Sequence, residues 1–207
     1  ITSPREHGVD VVEAIQQMRE GNANLLFCMG GNFISATPDT EATAEGMRNV
    51  KLTVQVSTKL NRSHLVTGDT AIILPCFGRT ELDMQDSGKQ FVTVENSMGI
   101  VHTSRGGLKP ASEYLRSEPW IVSSLATAVL DDGRDWMELA ANYDHIRDLM
   151  SKALAGFDDY NMRVREKNGF ALPNPPRDSR SFTTPDGKAH FICHELPDVS
   201  IASDRFV

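Results

Sequence analysis

Cysteine is scarce in this chain. Its three copies, Cys28, Cys76 and Cys193, lie far apart and show no Cys-x-x-Cys spacing. That excludes a disulfide framework and the common zinc and iron–sulfur ligand patterns. Cys28 and Cys76 sit in or beside apolar runs, where a thiol serves as a small buried hydrophobe. No apolar run approaches the ~20 residues that span a bilayer, and no signal peptide is visible. A reducing cytoplasm is the expected compartment. Basic residues are outnumbered, with 21 Lys and Arg against 28 Asp and Glu, a net charge of −7 and a pI near 5.3. A nucleic-acid binder would show the opposite balance.

The strong catalytic motifs are missing too. There is no Gly-x-x-x-x-Gly-Lys-Ser/Thr loop, no Gly-x-Gly-x-x-Gly, no His-Glu-x-x-His and no Gly-x-Ser-x-Gly. The six histidines are scattered. His190 and His194 stand four apart, but beside an expected strand, where that spacing makes no helical metal face. Asp131-Asp132 and Asp158-Asp159 read as solvated helix ends rather than a catalytic carboxylate pair. No nucleophile–base set is legible, and no metal ligand.

What is present is an ordinary globular composition, 40% hydrophobic and 24% charged over 207 residues. Residues 1–8 read as a lead-in, and the start at Ile1 suggests a processed chain or a piece of a longer one. Val11, Ile15 and Met18 mark one face of a helix over 9–20. Residues 24–28, continuously apolar from Leu25 on, then read as a strand buried on both faces, as in a parallel sheet. It stops at Gly30-Gly31-Asn32. A helix is expected over 35–48, with Thr37-Pro38-Asp39 supplying cap-like residues and an early proline. Residues 51–56 and 70–74 are two further strands, separated by a polar stretch from Ser57 to Ser63 and a short helical turn near 63–67.

Three strands with helical or loop crossovers predict an α/β fold. The expectation is an open, mainly parallel sheet with helices on both faces, a Rossmann-like three-layer arrangement. A β-hairpin is expected from 90–95 and 99–103. Ser117-Glu118-Pro119 opens a helix, and helical patterns recur over 136–155 and 158–167. The text turns to loop at Leu172. Asp186-Gly187 predicts a turn with a strand from Ala189 to Cys193 behind it, and 197–207 carry no periodic pattern. The domain reading is therefore 1–171 for the α/β domain and 172–207 for a linker or extension.

The binding argument rests on two strand ends. If the first two strands are neighbours, Gly30, Gly31 and Asn32 face Ser57, Thr58, Lys59 and Asn61 at the carboxyl edge of the sheet. Backbone N–H groups suit a phosphate, and hydroxyl, ammonium and amide groups suit a phosphate or a hydrogen-bonding base. The alternative is an ordinary βα turn, with Ser57, Thr58 and Asn61 merely capping the short helix near 63.

Helix 9–20, the run Leu25-Leu26-Phe27-Cys28-Met29-Gly30-Gly31-Asn32, the 55–63 loop and Gly68-Asp69-Thr70-Ala71-Ile72-Ile73-Leu74-Pro75 followed by Glu81 resemble the molybdopterin oxidoreductases. Within them the chain resembles the formate-dehydrogenase-like branch. Phe182-Thr183-Thr184-Pro185-Asp186-Gly187-Lys188-Ala189-His190-Phe191 resembles the passage into that family's last, β-barrel domain. Three departures stand out: Phe33 where proline is usual, Gly68 in place of the common alanine, and Ser57-Thr58-Lys59 where an aspartate often follows the second strand.

The resemblance implies an excised third domain that holds the guanosine and phosphate end of one molybdopterin guanine dinucleotide. It implies that molybdenum and any iron–sulfur cluster are held by other domains of the parent, which are then this chain's partners, and that the isolated domain is catalytically inactive. The rival expectations are a stand-alone α/β interaction module with no cofactor, and a small enzyme that uses another nucleotide.

Overall fold

The computed structural model describes residues 8–195. The expectations for residues 1–7 and 196–207 therefore lie outside the described residues. The chain divides into two units, Ile1–Ala171 and Leu172–Val207.

The first unit is built on a parallel three-stranded sheet, β1 (Leu25–Met29), β2 (Leu52–Ser57) and β3 (Thr70–Pro75), in that spatial order. Thr53 lies between Leu26 of β1 and Ala71 of β3, and Val54 between Phe27 and Ile72. β2 is the central strand, and five consecutive residues from Thr53 to Ser57 are buried, as expected of a strand covered on both faces. β1, expected to be buried on both faces, is instead an edge strand with Leu25 and Met29 exposed and the residues between them half-buried. The α/β class read from the sequence is the fold observed.

Helix α1 (Val11–Arg19) opens at Asp10, whose carboxylate accepts the Glu13 N–H at 2.9 Å. Its Ile15 and Met18 are buried against Val50, with Ala23, Leu26 and Phe33 packed around them. Two more helices follow β1, namely α2 (Phe33–Ala36) and α3 (Thr40–Asn49). The single helix expected over 35–48 is thus broken. Pro38 disfavours helical backbone at the residue before it, and Thr37 is extended at φ −90°, ψ 156°. Asp39 then caps α3 by accepting from Glu41 N–H and Ala42 N–H. Ile34, Ala44 and Met47 form a second apolar cluster that shares Leu26 and Phe33 with the first. Gly46 lets α3 approach α1: a Cβ there would stand 3.1 Å from Met18 Cβ. After β2, the 3-10 turn Arg62–Leu65 leads to β3.

Beyond β3 come two small antiparallel elements. β4 (Met84–Gln85) pairs with β5 (Gly88–Lys89), a hairpin the sequence reading missed. The expected hairpin is present as β6 (Val92–Glu95) and β7 (Ile100–Ser104), and β8 (Phe170–Ala171) adds to it as a third strand. Helix α4 (Glu118–Val129) starts at Ser117, whose Oγ accepts the Trp120 N–H, with Pro119 in the first turn.

The pattern over 136–155 is two helices, α5 (Trp136–Ala141) and α6 (Tyr143–Ala153). Asn142 is extended between them and caps α6 through its side chain. The expected helix at 158–167 shrinks to α7 (Tyr160–Arg163), preceded by Asp159 in the left-handed region.

In the second unit, Asn174 caps α8 (Pro175–Ser179). Asp186 accepts from Lys188 N–H and pairs with His190 at 2.8 Å. The strand expected over Ala189–Cys193 is not formed. These residues are exposed and have no neighbouring strand among the described residues, so nothing supplies the ladder that an apolar run needs.

Candidate functional site

The seven residues singled out from the sequence line one open cleft of about 570 Å³ at the carboxyl edge of the sheet. These are Gly30, Gly31, Asn32, Ser57, Thr58, Lys59 and Asn61, and Leu60 joins them. Parallel pairing of β1 with β2 in register is what brings the two loops together. No carboxylate lines the cleft, and Lys59 is its one charged group.

The residues divide into two kinds. Gly30, Ser57 and Asn61 hold the cleft in shape. Gly30 and Gly31 both adopt positive φ, +66° and +71°, which turns the chain sharply out of β1. Gly30 N–H is committed to the Val56 carbonyl at 2.8 Å. Asn61 Nδ2 donates to the Gly31 carbonyl at 2.7 Å, while its Oδ1 accepts Ser63 N–H at 2.9 Å. His64 returns the cap, its Nδ1 accepting Asn61 N–H at 3.0 Å. That leaves Nε2–H to donate to Ser57 Oγ at 3.1 Å.

Ser63 completes the brace. Its hydroxyl donates to Asn32 Oδ1 at 3.1 Å and its Oγ accepts Ile34 N–H at 3.0 Å, while Gln55 Nε2 donates to its carbonyl at 2.8 Å. Ser63 and Gln55 are both buried, so these bonds are made out of water. The sequence reading did not include His64 and Ser63 in the site. The Asn61…His64 spacing, a cap residue with a hydrogen-bonding side chain three positions on, is the signal that locates them.

The remaining groups point at nothing. Among the described residues, the N–H groups of Gly31 and Asn32 have no acceptor, and neither Asn32 Nδ2, the Thr58 hydroxyl nor Lys59 Nζ has a partner. Thr58 and Lys59 are exposed. A Cβ placed at Gly31 would meet no atom within 4 Å, so the backbone there is open from the cleft side. Of the expected cap residues, Asn61 alone caps the 3-10 turn, while the donors of Gly31, Asn32, Thr58 and Lys59 carry no hydrogen bond among the described residues.

Clefts of similar size lie between α1 and α3 and beside Trp120. The first is lined by Glu20, Asp39 and Glu45, a poor place for an anion. Of the thiols, Cys76 is buried and pushed up to about 11 by desolvation and the nearby Glu118, and burial likewise raises Cys28. Neither is a nucleophile at neutral pH. No group of three or more His, Cys, Asp or Glu side chains is placed to hold a metal among the described residues.

A second buried polar centre sits where α6 and α7 meet the hairpin. Arg147 is 4% exposed, lies over the Phe91 ring, donates to the Phe91 carbonyl and to Asn161 Oδ1, and pairs with Asp144. Arg165 closes on both oxygens of Asp144 at 2.7 Å. Burial alone would raise the Asp144 carboxyl, but the hydrogen bonds from Arg165 and Arg147 outweigh it and hold it below its usual range. Every charge here is answered within the cluster, which marks it as structural.

No family model matches the chain. It is 52% identical, over alignments spanning all of it, to an uncharacterized oxidoreductase of Mycobacterium tuberculosis and to another of Mycobacterium bovis. It is 46% identical, over 92% of its length, to the protein YdeP of Escherichia coli. It spans only 27% of the mycobacterial proteins and 25% of the Escherichia coli protein. The chain thus corresponds to about a quarter of larger polypeptides, two of them named as oxidoreductases. None of its helices is long and apolar enough to cross a membrane among the described residues.

Proposed function

We propose that this chain is a cofactor-holding domain of a molybdopterin-dependent oxidoreductase of formate-dehydrogenase-like type. Its cleft grips the guanosine diphosphate end of one molybdopterin guanine dinucleotide. The observation that carries the reading is the cleft itself. Two strand-end loops, braced by Asn61, His64 and Ser63, leave a set of donors facing outward with no acidic residue among them.

The donor set fits a diphosphate. Gly31 N–H and Asn32 N–H offer two adjacent backbone donors, and Lys59 offers the positive charge. Asn32 Nδ2 and the Thr58 hydroxyl are free for ribose or a base. Gly30, Ser57 and Asn61 act through shape: they fix the turn that aims the donors. The cofactor, when bound, supplies two-electron transfer at a molybdenum held by other parts of the polypeptide. This domain's share of the work is to bind and orient the end remote from the metal.

Cofactor analysis of the longer polypeptide tests the reading. Hydrolysis of the purified protein should release GMP and an oxidisable pterin in comparable amounts. A protein that is folded and active as an oxidoreductase yet carries no guanine nucleotide overturns it.

A further inference from the structure

β3 has the sequence of an interior strand and the position of an edge strand. Its residues from Thr70 to Leu74 are apolar or small and carry no charge. Ile72 and Ile73, which point to opposite faces of the sheet, are 41% and 43% exposed. Neighbouring β2, of similar composition, is buried on both faces.

The hydrogen bonds say which groups are open. Thr70 N–H reaches the Lys51 carbonyl and Cys76 N–H reaches the Ser57 carbonyl, so the even-numbered residues face β2. The odd-numbered ones face outward. Phe77 obeys the alternation, its N–H donating outward to the Arg116 carbonyl, and Cys76 forms a parallel bridge with Arg116. The lane beside β3 is thus occupied at its carboxyl end by Arg116. Next to Ala71 and Ile73 it is empty among the described residues, and Pro75 has no donor to offer there.

Natural sheet edges are guarded by charge, by bulges or by covering segments. Among the described residues this one has no guard along 70–74. The relatives are about four times as long as this chain.

We infer that the outer edge of β3 is a strand-docking edge. Its occupant is a further apolar strand supplied by the same polypeptide from outside the present 207 residues. That strand hydrogen-bonds to Ala71 and Ile73 and, with the segments that flank it, covers Ile72 and Ile73 from the two faces. Intramolecular supply fits the missing guard, because an edge filled within the chain is never presented to other molecules. The inference does not depend on which ligand the cleft binds.

Residue-resolved hydrogen exchange on a polypeptide of the relatives' length is the test, joined to a photo-crosslinking residue at position 73. The outward amides of Ala71 and Ile73 should exchange within about tenfold of the inward amides of Ile72 and Leu74. The crosslink should map to a segment of the same chain beyond these 207 residues. Outward amides that exchange a hundredfold faster than the inward ones overturn the inference. So does a crosslink between two chains, with protection that fades on dilution, since it makes a second copy the occupant.

Discussion

Asn61 Nδ2 stands 2.7 Å from the carbonyl oxygen of Gly31 and donates to it, tying the loop after β2 to the turn after β1. The same side chain caps the following 3-10 turn through its Oδ1. One residue thus couples the two halves of the cleft. Replacing Asn61 with Ala should cost about 1–2 kcal/mol of stability, the usual range for a lost cap. It should also weaken nucleotide binding more than Leu60→Ala does. Denaturant unfolding measures the first and titration the second. Unchanged binding at reduced stability would show that the tether serves the fold alone.

Lys59 carries the cleft's only charge, is exposed and has no partner among the described residues. Lys59→Gln should leave the unfolding midpoint where it is and lower affinity for a diphosphate about tenfold or more, as loss of a charge-assisted hydrogen bond of about 1.5–3 kcal/mol requires. The difference from wild type should narrow as salt rises. Calorimetric titration at two ionic strengths decides it.

Two glycines separate the site from the scaffold. Gly31 needs its glycine for φ, not for space, so Gly31→Ala should cost about 1–2 kcal/mol through left-handed backbone strain. Gly68 is the reverse case. Its φ is ordinary, but a Cβ would fall 2.1 Å from the Val50 carbonyl oxygen, at the start of β3. Gly68→Ala should therefore force the backbone apart and cost about 1–3 kcal/mol. Paired unfolding curves test both. A Gly68→Ala protein as stable as wild type would contradict the packing described.

The Asp144 cluster sets an acid sensitivity. A carboxyl held below its usual range in the folded state contributes stability above the unfolded-state pKa of about 3.9, and that contribution is lost as pH falls through the folded-state value. Asp144→Asn should thus be less stable than wild type at pH 7, with the gap narrowing as pH is lowered from neutral through and below the usual carboxylate range. Arg147→Ala should cost about 3 kcal/mol at neutral pH, since it strips the partner from the buried Phe91 carbonyl and from the part-buried Asn161 and Asp144. Thermal unfolding across that pH range follows both.

The parts of this molecule legible in the sequence are those dictated locally. Apolar runs gave β1 and β3, and the β-type run 51–56 gave β2, each to within a residue or two, and Gly30-Gly31 marked the turn where positive φ is needed. The two strand-end loops could be paired in advance because a parallel sheet forces its carboxyl ends to one edge.

What failed was set by single backbone breaks or by distant partners. Pro38 acts on Thr37, and Asn142 serves two helices at once, so two long helical patterns each became a pair. β8 exists only because Phe170 and Ala171 meet Val101 and Ile100 some seventy residues away. Arg147 gave no sign of burial, because a guanidinium enters a core only when Asp144, Asn161 and the Phe91 carbonyl converge on it. The division of the cleft into bracing and donating residues was also hidden, since it depends on where His64 and Ser63 point.

Recognition of a guanosine diphosphate group by the cleft can be read from backbone-amide shifts during titration with GDP and, separately, with ADP. The account predicts saturable shifts at residues 30–32 and 57–61, selective for GDP, with affinity as weak as millimolar, about −4 kcal/mol. A folded chain whose cleft amides stay still with both nucleotides at high millimolar concentration, or move equally with both, would contradict it.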